Sequence, residues 1–548
     1  MLKNSSRKSI NLILLFISGL VVASLVGVFQ NSPGYMDADY YMAGGQRLAD
    51  GHGFQELMLW NYLDDPQGLP HPSHTYWMPL ASLLAMVGML VSGLHNFYGG
   101  RLAFILLAGL VPPATFFLAQ TINLPGGART KTNTNWTAAL LAVFPGFYLT
   151  FLATSDTFAI SMLLGVAFLG VVNRLWTSNR EAMAIRRPAF WWLLLGITAG
   201  LFHLARVDGI LWAGLAGLLA LLFESLHGRP FKLDSALFGR LGWLVLGYLI
   251  VMGPWILRNL AQFGVPFSPG GGRMLWITNY NELFIYPASS LTFHRWLQQG
   301  LGAILQARLS ALGQNLATLF AVQGEIFLLP LMLVGLWRSR RLAVVRLGLL
   351  AYGLIFALMT LVFPFAGARG GLLHSGAALQ PFLWVMAAVG LQVCLSWGVS
   401  HRNWDPRQAG IFFTAGVVML ALLVSVVVFY NRMFNPQPPQ QPWDAVERLY
   451  GQVDASLLQM GADEHQIVMV NDPPAYYLAS GRPAISIPFG DLNTVLAVAG
   501  RYHAAFLVLE FNQLTGPDDL YTNPGDRPGL HYLQTVDTAR IYEFEGAQ

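Results

Sequence analysis

The sequence predicts a polytopic all-α membrane protein of about 11 transmembrane helices, one further helix at the membrane surface, and a small C-terminal α/β domain. Three observations carry this. Of 548 residues, 54% are hydrophobic and only 11% charged, against about 25% charged in an ordinary soluble domain, and mean hydropathy is +0.49. Too few polar groups remain to clothe a water-facing surface, which excludes a soluble enzyme and a disordered chain alike. The apolar residues form runs of spanning length, with Lys and Arg clustered between them as the positive-inside rule expects. The net charge of +4 therefore speaks of orientation and not of nucleic acid. Beyond residue 443 the pattern changes to short strand-like and helix-like segments in alternation.

In chain order, residues 10–30 follow Lys3, Arg7 and Lys8 and read as a retained first span with a cytoplasmic N-terminus. Residues 31–75 are a polar external loop. The apolar stretch 76–94 is long enough to cross, but crossing there would invert every later loop. It reads instead as a re-entrant or interfacial helix, so that 31–100 form the first external region. Further spans lie near 101–122, 136–153, 157–175, 190–205, 208–225, 240–258, 325–337, 344–365, 376–397 and 408–430. Basic connections at Arg129 and Lys131, at Arg180, Arg186 and Arg187, at Arg229, Lys232 and Arg240, at Arg338, Arg340 and Arg341, and at Arg402 and Arg407 all fall on the cytoplasmic side.

Residues 259–322 make a second large external loop, Gly/Pro-rich from Pro266 to Gly272, with an amphipathic stretch holding Arg295 and Arg308. The membrane domain is 1–434, a Pro/Gln linker covers 435–442, and 443–548 form an extracytoplasmic α/β domain. Its expected elements are a helix at 443–460, a strand at 467–470, a turn at Asp472-Pro473-Pro474, a helix at 491–502, and strands at 504–510 and 539–544. The one cysteine, Cys394, allows neither an intramolecular disulfide nor a cysteine metal site. No internal repeat is visible.

Charges at span ends are costly unless they face a partner or a cavity, so each is a functional candidate. On the external side these are Asp37 and Asp39 after the first span, Asp156, Arg206 and Asp208, Arg258, Glu325, and Arg369 with His374. Simpler roles stand beside the functional ones. Asp37 suits the N-cap of a helix at 38–50, Arg206 and Asp208 suit a structural ion pair, and Arg258 suits a snorkelling helix end. His71 and His74 form a weak metal pair without a third ligand.

Five segments occur in an order that resembles the GT-C superfamily of membrane glycosyltransferases, in particular bacterial protein O-mannosyltransferases and aminoarabinose transferases. They are DADYYMAGGQRLADGHGF at 37–54, HPSHTYWMPLASLL at 71–84, TSDTFAI at 154–160, HLARVDGILW at 203–212 and GPWILRNLAQFGVPF at 253–267. The late turn GARGGLLHSGAALQP at 367–381 lacks the Arg-Tyr pair common in the family, and Arg206 precedes Val207 where members carry proline.

The resemblance implies an inverting transfer of a sugar from a polyprenyl-phosphate to an acceptor hydroxyl on the outer face of a bacterial inner membrane, the acceptor being a glycan, lipid or protein. It implies Asp37 as general base with Asp39 in reserve, and Arg258, Arg206 and Arg369 as ligands of the departing phosphate. Asp156, Asp208, Tyr41, His71, His74, Glu325 and His374 are the orienting or acceptor-binding candidates. No cofactor is required, and where a divalent metal binds, Asp156 is its ligand. The alternatives are a lipid-linked sugar flippase or transporter, which internal repeats would favour, and a non-catalytic relative.

Overall fold

A computed structural model of the chain describes residues 2–122, 128–178, 188–436, 441–511, 515 and 519–546. Arg180, Arg186 and Arg187 lie outside the described residues, as do the side chains of Lys3, Arg7, Lys8, Arg129 and Lys131 and the middle of the 435–442 linker.

Among the described residues nine helices are long and apolar enough to cross a bilayer. They are Ser9–Val28, Phe97–Thr121, Phe158–Thr177, Pro188–Ala205, Val207–Leu226, Ser235–Phe263, Ala343–Val362, Gly371–Arg402 and Pro406–Met433. The protein is a multi-pass membrane protein. Each of the nine matches an expected span; two expected spans differ. Near 136–153 the helix Ala128–Val143 stops before Pro145, and a 3-10 turn, Gly146–Phe151, follows. Near 325–337 the helix is Leu329–Ser339, about 16 Å long at 1.5 Å per residue against about 30 Å of hydrocarbon. It begins after a break at Glu325 and Ile326, which both hold positive φ (44° and 61°). The segment 259–322, expected as a second external loop, contains a long helix, Gly300–Ala317, whose Leu301, Leu305 and Leu309 form one exposed stripe at four-residue spacing.

The chain divides into two compact units. The first comprises the residues up to Phe29, Phe104–Ala261 and Ser310–Asn431. Its core is all-helical, and its helices approach closely: an added Cβ at Gly390 would lie 1.9 Å from the Leu331 carbonyl oxygen, so only glycine lets the Leu329–Ser339 helix pack against Gln380–Arg402.

The second unit comprises Gln30–Ala103, Gln262–Leu309 and Arg432–Gln548. Its first helix is Met36–Ala49, against which packs Leu80–Ser92. That second helix lies in the apolar stretch read as interfacial, and its 13 residues reach about 20 Å, too short to cross. A small antiparallel pair joins β1 (Gln55–Glu56) to β3 (His71–Pro72).

A six-stranded mixed sheet has the order β2-β5-β4-β6-β8-β7. These strands are β2 (Met58–Leu59), β4 (Ile467–Val470), β5 (Ala484–Ser486), β6 (Ala504–Leu509), β7 (Leu530–Val536) and β8 (Ala539–Phe544). Strands β2, β5, β4 and β6 run parallel, β8 pairs antiparallel with β6, and β7 pairs antiparallel with β8. The strands expected at 467–470, 504–510 and 539–544 are present, as are helices Ala445–Gln459 and Leu492–Tyr502. The expected turn at Asp472 is instead the start of a helix, Pro473–Ser480: the Asp472 side chain accepts from Ala475 N, and proline is preorganised for the first helical position.

Candidate functional site

In the first unit the candidate residues fall into two groups beside one short helix. Helices Pro188–Ala205 and Ile210–Leu226 are joined by a 3-10 turn, Val207–Gly209. The rings of Phe202 and Trp212 stack across it, centroids 4.3 Å apart and planes 3° from parallel. Gly209 is required there, because a Cβ would lie 2.0 Å from the Phe202 carbonyl oxygen. The turn presents Arg206 and Asp208, and Arg206 Nε donates to Asp208 Oδ1 at 2.9 Å. The ion pair of the simpler reading therefore exists. Both side chains keep partial access to solvent, 18% and 16%, so the pair is presented at a surface and not sealed in the core.

Asp156 is buried, and its Oδ1 accepts from the backbone N and the hydroxyl of Thr157. Its Oδ2 lies 3.6 Å from His374 Nδ1, and the His374 ring stacks on Phe158 at 4.4 Å. His374 belongs to the short helix Gly371–Gly376. The next residue, Ser375, donates from Oγ to Asp208 Oδ2 at 2.5 Å. Nothing in the sequence distinguishes Ser375, since a serine in a Gly-rich turn is ordinary turn chemistry.

Arg258 lies inside the Ser235–Phe263 helix, its guanidinium 4.7 Å from the centre of the Trp255 ring and donating to Asn259 Oδ1 at 3.0 Å. Arg369 is exposed and follows the helix Pro364–Ala368. Glu325 is fully buried in the core of the unit, where Trp384 Nε1 donates to its Oε1 at 2.9 Å.

In the second unit Asp37 and Asp39 stand in the first turn of the Met36–Ala49 helix. The N-cap is Tyr35, so Asp37 is inside the helix and does not cap it. Tyr41 follows Asp37 by four residues and is buried. Asp37 is half-buried whereas Asp39 is buried. Burial pushes the Asp39 carboxyl well above its ordinary range, and the carboxylates of Asp472, Glu447 and Asp37 push it further. The first of these comes from the start of the Pro473–Ser480 helix, which packs on Met36–Ala49; there Arg47 Nη1 donates to the Tyr477 hydroxyl at 3.1 Å. Burial also raises Asp472 to about 7, and Glu510 to about 7 beside the Tyr450 hydroxyl that donates to it. These acids escape a sequence reading because they are spread over the C-terminal segment and meet only through the sheet.

His71 and His74 are both buried and occupied by protein partners. His71 Nε2 lies 3.1 Å from Asp64 Oδ2, and its Nδ1 lies 3.5 Å from Glu56 Oε1. Burial pulls its pKa down, but the two carboxylates outweigh burial and raise it to about 9. The ring of His74 lies between the Ser73 and Ser82 hydroxyls at 2.8 and 2.9 Å. The Tyr40 hydroxyl ties the two histidines together: it accepts from His74 N and donates to Glu56 Oε2, both at 2.7 Å. Because Tyr40 adjoins Asp39, this network braces the turn that carries the two acids.

No protein-family profile matches the sequence, and no curated protein matches it. Solved structures do. The chain is similar to ArnT from Cupriavidus metallidurans in the apo state, with TM-score 0.58 and 12% identity over 98% of both chains. It is also similar to that protein bound to undecaprenyl phosphate, with TM-score 0.55 and 13% identity over 98% of both. A third likeness is to the Archaeoglobus fulgidus oligosaccharyltransferase in complex with Zn and sulfate, with TM-score 0.54 and 13% identity over 89% of this chain and 67% of that one. The chain has the fold of these solved structures, the fold expected from the resemblance its five motifs carry.

Proposed function

We propose that this chain is an inverting membrane glycosyltransferase that moves a sugar from a polyprenyl-phosphate to an acceptor hydroxyl on the extracytoplasmic face. The observation that carries the reading is the acidic first turn of the Met36–Ala49 helix, with one carboxyl accessible and the other buried, in a chain whose fold matches ArnT bound to undecaprenyl phosphate from end to end. A general base must be ionised and within reach of the hydroxyl it deprotonates. Of the two, Asp37 is half-buried and the more open to an acceptor, whereas burial favours the neutral acid at Asp39. Asp37 removes the proton as the acceptor oxygen attacks the anomeric carbon. The glycosidic carbon–oxygen bond breaks on the opposite side, the phosphate leaves with the electron pair, and the configuration inverts.

Arg206 and Arg258 stabilise the charge that grows on the phosphate. Guanidinium groups stay protonated and bind phosphate in a planar fork, which suits a leaving group that gains charge in the transition state. Arg369 is the third candidate. In this reading the N-terminus is cytoplasmic, the C-terminal residues are extracytoplasmic, and the membrane is a bacterial inner membrane.

His374 Nδ1 is buried without a hydrogen-bond partner and lies close to Asp156 Oδ2, so these two residues suit a divalent metal. Such an ion would neutralise phosphate or orient an acceptor when bound, and no step above depends on it.

The test is transfer from a panel of radiolabelled polyprenyl-phosphate sugars by the purified protein in lipid, alongside Asp37→Asn and Asp39→Asn. Transfer that survives in Asp39→Asn and vanishes in Asp37→Asn is the expected result. Movement of lipid-linked sugar across the bilayer without consumption of donor would replace this reading with a flippase.

A further inference from the structure

The helix Gly371–Gly376 is held from below and reaches two carboxylates above. Its Leu372 carbonyl accepts from Gln323 Nε2 at 3.3 Å, and its Leu373 carbonyl accepts from the Tyr148 hydroxyl at 3.0 Å. Gln323 is itself fully buried and fixed. The Tyr352 hydroxyl donates to its Oε1, and Gln380 Nε2 donates to its carbonyl oxygen at 3.0 Å. A segment anchored through its backbone cannot slide, so the side chains it projects have defined positions.

Of those side chains, Ser375 is buried and spends its one proton on Asp208 Oδ2 at 2.5 Å. The other oxygen of Asp208 takes Arg206 Nε at 2.9 Å. Because the guanidinium is rigid and planar, a contact at Nε constrains the plane in which both Nη groups lie. Without the donor on Oδ2 one of the two contacts that hold the Asp208 carboxylate is gone, and its last torsion is broad and shallow for an sp²-terminated side chain. The Asp208 contact would then direct the Arg206 guanidinium less firmly, while its charge stays.

We infer that Ser375 is a positioning residue that fixes the Arg206 guanidinium through Asp208, so that the anchored Gly371–Gly376 helix sets the affinity for a lipid phosphate. This rests on the reading of Arg206 as a phosphate ligand. Ser375 does not touch the phosphate; it acts on a residue that does.

The test is equilibrium binding of undecaprenyl phosphate to the full-length protein in lipid nanodiscs. Arg206→Gln and Ser375→Ala should each weaken binding about tenfold, the scale of one hydrogen bond to a charged group. Ser375→Thr restores the hydroxyl and should bind within about twofold of the parent. The double variant Ser375→Ala/Arg206→Gln should bind no more weakly than Arg206→Gln alone, because both changes remove the same contact.

Unchanged binding in Ser375→Ala beside weakened binding in Arg206→Gln overturns the inference and leaves the phosphate reading intact. Additive losses overturn it too, since Ser375 would then act without Arg206. Unchanged binding in Arg206→Gln overturns both. If Ser375→Ala does not yield folded protein, Ser375→Cys, which replaces the hydroxyl by a weak donor, carries the same comparison: loss shared with Arg206→Gln supports the relay, and additive loss or unchanged binding overturns it.

Discussion

Nε2 of His71 lies 3.1 Å from the carboxylate of Asp64, in a place where both side chains are closed to solvent. With Glu56 on the other ring nitrogen, the imidazole is a buried cation between two anions. Removing one member of such a group leaves the others charged and unpaired, which costs about 3–5 kcal/mol. The pKa of about 9 lies above the ordinary 6.5, so this stabilisation is complete below pH 6.5 and is lost as pH rises through about 9. His71→Gln should therefore melt well below the parent at pH 6 and approach it above pH 9. Thermal unfolding of both proteins across that range checks the sign.

Glu510 behaves in the opposite sense to an ordinary surface acid. Its folded pKa of about 7 exceeds the usual 4.5, so the folded state binds the extra proton and stability falls as pH rises between those values. Glu510→Gln keeps an acceptor for the Tyr450 hydroxyl and cannot ionise. It should match the parent near pH 4 and exceed it at pH 8 by about 1–3 kcal/mol. Glu510→Ala removes the acceptor and should be less stable than Glu510→Gln throughout. Denaturation at the two pH values separates the cases.

Gly209→Ala would drive a methyl group to 2.0 Å from the Phe202 carbonyl oxygen. The turn carrying Arg206 and Asp208 must open to admit it, at about 1–3 kcal/mol. A lowered melting temperature together with weakened undecaprenyl phosphate binding is the expected pair of effects. A lowered melting temperature with unchanged binding would show that the turn does not position the arginine.

Arg258→Lys keeps the charge and loses both the planar fork and the stacking over Trp255. If Arg258 holds the leaving phosphate, donor KM should rise about tenfold. Initial rates at varied donor concentration would show it, and an unchanged KM would remove Arg258 from the phosphate site.

Much of this architecture is readable from hydropathy, because a bilayer-crossing helix satisfies its backbone internally and must be long and apolar. The two spans that differ show where that signal stops. At 136–153 the apolar run continues through Pro145 and Gly146, but the helix ends at Val143. At 325–337 the break at Glu325 and Ile326 is a backbone conformation that composition does not encode. In the C-terminal segment strands β4 and β8 are plain in the sequence, whereas β5 is only three residues long and β2 comes from a distant loop.

The candidate site was legible as residue types and not as partnerships. Asp156, His374, Arg206 and Asp208 all stand out as charges near apolar runs, and two pairs of them meet. Their companions do not stand out, because Ser375, Gln323 and Tyr148 are uncharged and act through single hydrogen bonds. His71 and His74 attracted notice for their spacing, yet each is absorbed by partners that long-range folding supplies.

Strand β2 pairs in parallel with β5, Met58 beside Ala484. Strand β2 is thus made long before the neighbour it pairs with. Until β5 emerges, the segment holding Met58 and Leu59 has no β5 beside it and must remain an open edge, the kind of exposed backbone that chaperones and proteases recognise. Assembly of this edge waits on Ala484–Ser486, so a chain stopped before them would be a membrane-inserted but unfinished product, marked for removal by its unpaired strand.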